Sequence, residues 1–106
     1  MRSVSKVTRE ALQLLAEAVR AGRLQRGWTA AELAERVGVS RPTIVSVERG
    51  DPGVAIGTVL EAAQLVGVPL FDADPDALER YRAYKRTELA LLPAAARPRR
   101  KVDDDF

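Results

Sequence analysis

The side chains best suited to hydrogen bonding with an external partner lie near the middle of the chain. Between Ser40 and Ser46 the sequence supplies several hydroxyl groups and the guanidinium of Arg41. A guanidinium presents its donors in a fixed fork, so it can bind two acceptors on one base or one phosphate. Hydroxyl groups donate or accept, which suits phosphate oxygens and base edges alike. The chemistry predicted here is recognition by hydrogen bonding, not bond breaking.

Such side chains need a rigid support, and the surrounding sequence predicts two short helices that pack together. Leu33 and Val37 are four residues apart, and Ile44 and Val47 are three apart, so each pair forms one apolar helix face. Ala34 is small enough to let the two helices approach closely. We therefore expect Ile44 and Val47 to point inward and the intervening polar residues to point outward.

The ends of these two helices are predicted from capping residues. Thr29 and Ser40 each precede a helical run, where a hydroxyl can accept a bond from a free backbone N–H. Gly38 can take the left-handed conformation that ends a helix. Pro42 falls in a first turn, where its missing N–H has no intrahelical partner. These signals predict helices over residues 30–37 and 41–49, joined by a tight turn.

The whole motif, TAAELAERVGVSRPTIVSVERG at residues 29–50, resembles the helix-turn-helix of the Xre family. That family contains the lambdoid phage repressors and Cro, and many bacterial antitoxins. The resemblance covers roughly Leu14 to Phe71. It implies a lambda-repressor-like all-α domain that binds double-stranded DNA. In such a domain the second helix of the motif lies in the major groove, and its N-terminal side chains reach the base edges.

Arg41 is the residue we expect to read a base, because it can pair bidentately with guanine. Pro42 and Val45 have no side-chain donor, so they could contact only thymine methyl groups or sugars. Thr29 and Thr43 are candidate phosphate ligands. The full predicted DNA-binding set is Thr29, Ala30, Ser40, Arg41, Pro42, Thr43, Val45, Ser46 and Arg49.

The resemblance also implies one structural ion pair, and the chain departs from the family pattern at one position. The sequence keeps the family's ERG pattern from Glu48 to Gly50 and has an arginine at Arg23, so Arg23 and Glu48 should form a partly buried pair. Many relatives carry a glutamine that binds phosphate where this chain has Ala30. Phosphate binding at that helix end would then fall to Thr29 or to the backbone.

Composition limits the other function classes. The chain has 106 residues, a formal net charge of +2, and neither cysteine nor histidine. Thiolate chemistry, the usual zinc sites and the commonest general base are therefore absent. No phosphate loop or pairing of a nucleophile with a base is evident, so we expect no enzyme activity, no metal, no cofactor and no small-molecule ligand. The lack of a long apolar run predicts a cytoplasmic protein without a membrane partner. The resemblance to the Xre family implies that the protein is bacterial.

Apolar periodicity predicts further helices over residues 5–26, 56–66 and 75–92. Gly22 lies inside the first of them and suggests a close approach by a neighbouring helix. We expect a compact bundle of five short helices closed by Val68, Leu70 and Phe71, then a C-terminal helix and a disordered tail. The corresponding boundaries are residues 1–72, 73–92 and 93–106.

A monomer of this size buries little DNA, so we expect a homodimer that reads an inverted-repeat operator. Its interface could use the region of residues 54–58 or the helix over 75–92. Further candidates for phosphate contact are basic residues near the motif and in the tail: Arg20, Arg26, Arg36, Arg97, Arg99, Arg100 and Lys101.

Three biological roles fit the sequence. The first is an autorepressing antitoxin, because the short domain with a charged tail resembles HipB-like proteins, whose partners are HipA-like kinase toxins. In that role Asp103, Asp104 and Asp105 would meet a basic cleft, and Phe106 would anchor the tail. The second is a stand-alone phage or host repressor. The third is a toxin-inhibiting interaction protein with weak DNA binding, which the donorless Pro42 and Val45 would suit.

Overall fold

A computed structural model describes residues 3–96 of the chain. Its helices are α1 (Lys6–Gln25), α2 (Ala30–Val37), α3 (Arg41–Arg49), α4 (Ile56–Leu65) and α5 (Pro75–Ala90). The all-α fold class is confirmed. The five helices found within residues 3–96 include the C-terminal one, so α1 to α4 make up the bundle. The described residues divide into two compact units between Asp72 and Ala73.

The core of the first unit lies where α1, α2, α3 and α4 meet. Val19, Leu33 and Ile44 are fully buried at its centre. Each such side chain contributes about 1.5 to 3 kcal/mol on burial. Ala34 is 3% exposed, and its small side chain permits the close packing of α2 on α3 that the sequence predicted. The buried cluster is completed by Val47, Ala62, Ala63 and Val66.

Gly22 lies at a close approach between α1 and the residue that follows α4. A Cβ atom built on Gly22 would lie 2.6 Å from the carbonyl oxygen of Val66 and 2.8 Å from its Cγ2. Real Cβ atoms do not approach backbone oxygens so closely, so any larger residue would push the helices apart. This explains why a glycine stands inside a helix, where it is otherwise unfavourable.

Side-chain caps fix the starts of α1, α2, α3 and α5. The hydroxyls of Ser5, Thr29 and Ser40 accept bonds from backbone N–H groups in the first turns of α1, α2 and α3. The carboxylate of Asp74 does the same for α5. Gly38 ends α2 with φ of 88°, the left-handed conformation that the sequence predicted. The tight turn between α2 and α3 therefore has its geometry specified at both ends.

Three expectations need correction. Helix α4 ends at Leu65 and α5 at Ala90, each earlier than the apolar pattern suggested, because that pattern continues beyond the last helical residue. Val68 and Leu70 pack against the core, but Phe71 is 82% exposed. Its φ of 55° is left-handed, and the turn at Phe71 and Asp72 directs the ring outward.

Helix α5 exposes its aromatic residues, with Tyr81 50% and Tyr84 74% exposed. None of the described helices combines the length and the apolarity needed to cross a membrane. The predicted tail contacts of Arg97, Arg99, Arg100, Lys101 and residues 103–106 lie outside the described residues.

Candidate nucleic-acid interface

Helix α3 turns one face into the core and the opposite face outward. Ile44 is fully buried and Val47 is 3% exposed, whereas Arg41 and Pro42 are exposed. Residues on a helix are separated by about 100°, so Pro42, Val45 and Arg49 lie opposite the buried pair. The outward face of α3 therefore carries Pro42, Val45 and Arg49, and Arg41 and Ser46 border it. Thr43 is half-buried and lies nearer to the buried Val47 than to this face.

The hydroxyls at the start of α3 are already ordered by each other. The Oγ of Ser40 and the Oγ1 of Thr43 are 2.9 Å apart, and the backbone N–H of Thr43 donates to Ser40 Oγ at 3.4 Å. One hydroxyl of the pair donates to the other, which leaves the acceptor's own hydrogen available to an external oxygen. This pair is suited to bind a phosphate oxygen next to Arg41.

The start of α2 is less favourable for an anion than the sequence suggested. Glu32 completes a capping box: its carboxylate accepts the Thr29 N–H at 2.8 Å, and Thr29 Oγ1 accepts the Glu32 N–H at 3.0 Å. The bond from the Thr29 backbone N–H lowers the pKa of Glu32, so its negative charge persists at the helix N-terminus. That charge competes with a phosphate for the same helix end.

The capping role of Glu32 was not predicted, although the spacing T-x-x-E is a recognised capping signal. Ala30 is half-buried, packs against the core and offers only a methyl group. Any phosphate contact at this end of α2 therefore depends on the Thr29 hydroxyl and on backbone N–H groups.

Arg23 and Glu48 form a two-pronged ion pair that joins α1 to α3. Arg23 Nε lies 2.7 Å from Glu48 Oε2, and Nη2 lies 2.8 Å from Oε1. Their side chains are only 11% and 9% exposed. Arg23 Nη1 also donates to the Trp28 carbonyl at 2.9 Å. The bond to Glu48 raises the pKa of Arg23, so the guanidinium stays charged.

Two other basic residues near the motif, Arg26 and Arg36, form contacts within the protein. Arg26 Nη1 donates to the Val66 carbonyl at 2.6 Å, so Arg26 ties the end of α1 to the end of α4. The guanidinium of Arg36 lies 4.1 Å from the centre of the Trp28 ring, in a cation–π contact. Trp28 is half-buried and packs against the core. Sequence periodicity could not reveal the bond of Arg26, because it joins residues forty positions apart.

The comparisons with known proteins agree with this geometry. A family model described as a helix-turn-helix matches residues 19–72, just over half of the chain. No curated protein and no solved structure matches the chain. The matched region contains α2, α3, α4 and the Arg23–Glu48 pair, and it leaves out the first turns of α1. By this match the chain belongs to the helix-turn-helix family of DNA-binding transcription regulators.

Proposed function

We propose that this regulator recognises a specific double-stranded DNA sequence by placing α3 in the major groove. The observation that carries the proposal is the orientation of α3: Ile44 and Val47 face the core, and Arg41 faces solvent. A helix fits the major groove, where each base pair presents a distinct pattern of donors and acceptors. Bound there, the chain would repress transcription by occupying its operator.

Each outward residue of α3 has a chemically defined role in the proposal. Arg41 donates two hydrogen bonds to a guanine, which is worth about 1 to 3 kcal/mol of discrimination. Pro42 and Val45 contact thymine methyl groups or sugars, and Ser46 donates to or accepts from a base edge. The Ser40–Thr43 hydroxyl pair and Arg49 bind phosphates, as does Thr29 at the start of α2.

The proposed operator is an inverted repeat that binds a homodimer. One copy presents a single nine-residue helix to DNA, which is a small recognition surface. Two copies related by a two-fold axis would read half-sites about 34 Å apart, on one side of the duplex. The region of residues 54–58 supports one possible interface because Ile56 is 75% exposed, and the exposed tyrosines of α5 support another.

Selection from a pool of duplexes with a randomised central segment tests this function. The proposal predicts enrichment of one sequence with two-fold symmetry, and its enrichment should disappear with Arg41→Ala. Lys6→Ala, which removes an exposed positive charge of α1, is the control and should select the same sequence. Recovery of unrelated sequences by the wild-type chain would contradict sequence-specific binding.

The more specific role we propose is that of an autorepressing antitoxin that neutralises a HipA-like kinase toxin. Its support is the resemblance of the short domain and charged tail to HipB-like proteins. The ending KVDDDF supplies three carboxylates and an aromatic anchor, Asp103 to Phe106, for a basic cleft. A tail of this composition would order on its partner.

Co-expression with the product of the adjacent gene separates this role from that of a stand-alone repressor. An antitoxin should co-purify with that product, and removal of residues 103–106 should weaken the complex without changing operator affinity. A stand-alone repressor should bind its operator and retain no such partner. A chain that binds the partner but no duplex would instead be a toxin inhibitor with weak DNA binding.

A further inference from the structure

The first turns of α1 lie outside the family-matched region yet contact the end of α3. Helix α1 begins at Lys6, whereas the matched region begins at residue 19. From this N-terminal extension, Gln13 Nε2 donates to the backbone carbonyl of Arg49 at 2.7 Å. The bond satisfies a carbonyl at the C-terminal end of α3, where intrahelical partners are lacking. The extension is thereby attached to the helix that we propose enters the groove.

Two arginines border one open cavity at this junction. The cavity has a volume of about 430 Å³, and both Arg9 of α1 and Arg49 of α3 line it. The one carboxylate in its lining belongs to Asp51, whose Oδ1 already accepts the Gly53 N–H at 2.7 Å. Within residues 3–96, the Arg9 side chain bonds only to the Val4 carbonyl, at 3.3 Å, and Arg49 has no side-chain hydrogen bond.

Two arginines against the one carboxylate of Asp51 leave this lining with an excess of positive charge, which attracts an anion. Guanidinium groups favour phosphate in particular, because their forked donors match its oxygens. The position of the cavity also fits a DNA phosphate. Arg49 lies seven residues after Pro42, about two helical turns, so both occupy the same outward face of α3.

In the proposed complex the N-terminal residues of α3 contact base edges. Arg49, at the other end of this nine-residue helix, is then left for the sugar–phosphate backbone. We propose that Arg9 and Arg49 form a phosphate-binding site that holds this backbone, with Arg9 supplied by the N-terminal extension of α1. The site rests on the proposed function, because it requires α3 to lie in the groove.

The test is the salt dependence of binding to the selected operator duplex by wild-type chain, Arg9→Gln and Arg9→Lys. Each neutralised phosphate contributes about 0.9 to the slope of log affinity against log salt concentration. Arg9→Gln removes the charge and should lower the slope by about 0.9, whereas Arg9→Lys should retain it. Because phosphates carry no sequence information, Arg9→Gln should weaken operator and mismatched duplexes by the same factor.

Lys6→Gln serves as the control for loss of one exposed positive charge of α1 outside the cavity lining, and it should leave the slope unchanged. If wild-type chain binds the operator and Arg9→Gln keeps the full slope, the phosphate site is wrong while the proposed function stands. If wild-type chain binds no duplex at all, the proposed function fails and the phosphate site fails with it. If Arg9→Gln weakened binding to the operator alone, the phosphate site would also be wrong, since that selectivity would indicate that Arg9 contacts a base.

Discussion

At the scale of single residues, two ion pairs of similar chemistry occupy opposite environments. Arg23 and Glu48 are about nine-tenths buried and bonded through two prongs, whereas Lys85 and Glu88 form an i,i+3 pair whose side chains are 68% and 59% exposed. Water screens the second pair but barely reaches the first. Removing one partner of the buried pair leaves the other charge without compensation.

Arg23→Ala should therefore lower the free energy of unfolding by about 3 kcal/mol. Lys85→Ala is the control, and at an exposed pair it should change that free energy by less than about 1 kcal/mol. Urea denaturation followed by circular dichroism measures both. Equal losses in the two variants would show that the Arg23–Glu48 pair does not hold α1 to α3.

At the scale of helices, the local sequence predicts α2 and α3 with their observed limits. Thr29, Gly38 and Ser40 specify helix ends through their own backbone and hydroxyl chemistry, so neighbouring residues suffice to find them. The ends of α4 and α5 were predicted one and two residues too late, because the apolar pattern continues beyond the last helical residue. Val66 illustrates this: it remains apolar and buried although the helix has already ended at Leu65.

The contact between α1 and α4 gives a prediction for its glycine. Gly22→Ala should destabilise the fold by about 1 to 3 kcal/mol, because the new methyl group meets the Val66 carbonyl. Gly57→Ala is the matched control within α4, where a Cβ meets no atom within 4 Å. That substitution should stabilise the fold by about 0.5 to 1 kcal/mol.

Thermal unfolding of the two alanine variants measures the difference. Opposite signs would support the close approach of α1 and α4. A stabilising Gly22→Ala would mean that the helices can separate at little cost, and the packing described for Gly22 would be incorrect.

The capping box of α2 gives a prediction about pH. Because the Thr29 N–H bond lowers the pKa of Glu32 in the folded chain, the ionised form is favoured by folding. The resulting stability is fully present above the unfolded-state pKa of Glu32 and is lost as pH falls through the lower, folded-state pKa. Glu32→Gln retains an oxygen acceptor but does not titrate.

Unfolding midpoints measured from neutral pH down to about pH 3 should therefore fall more for the wild-type chain than for Glu32→Gln. Other carboxylates titrate in both chains, so the difference between the two curves isolates Glu32. Parallel curves across the acidic range would contradict the capping bond.

At the scale of the whole molecule, only part of the candidate DNA-binding site could be predicted from the sequence. The outward residues of α3 follow from helical spacing once Ile44 and Val47 are assigned to the core. The cavity beside Arg9 could not be predicted in this way. Arg9 and Arg49 are forty residues apart, and they line one cavity only because α1 packs on α3. Nor could local patterns reveal that Arg26 is held by a carbonyl at the end of α4.

The proposed homodimer predicts a strict dependence on the spacing of half-sites. Insertion of about 5 base pairs between them rotates one half-site to the other side of the duplex. Affinity measured by fluorescence anisotropy should then fall to that of a duplex with a single half-site. A duplex with the same number of central substitutions but no insertion is the control. Unchanged affinity after insertion would contradict simultaneous binding by two copies.

The central claim is that α3 presents Arg41 to a base in the groove. Its most direct test is the affinity of wild-type chain and Arg41→Ala for the selected operator and for every single base-pair substitution of it. The account predicts that wild-type chain loses about 1 to 3 kcal/mol at one guanine position in each half-site, and that Arg41→Ala loses this discrimination there alone. An unchanged pattern of discrimination in Arg41→Ala would contradict it.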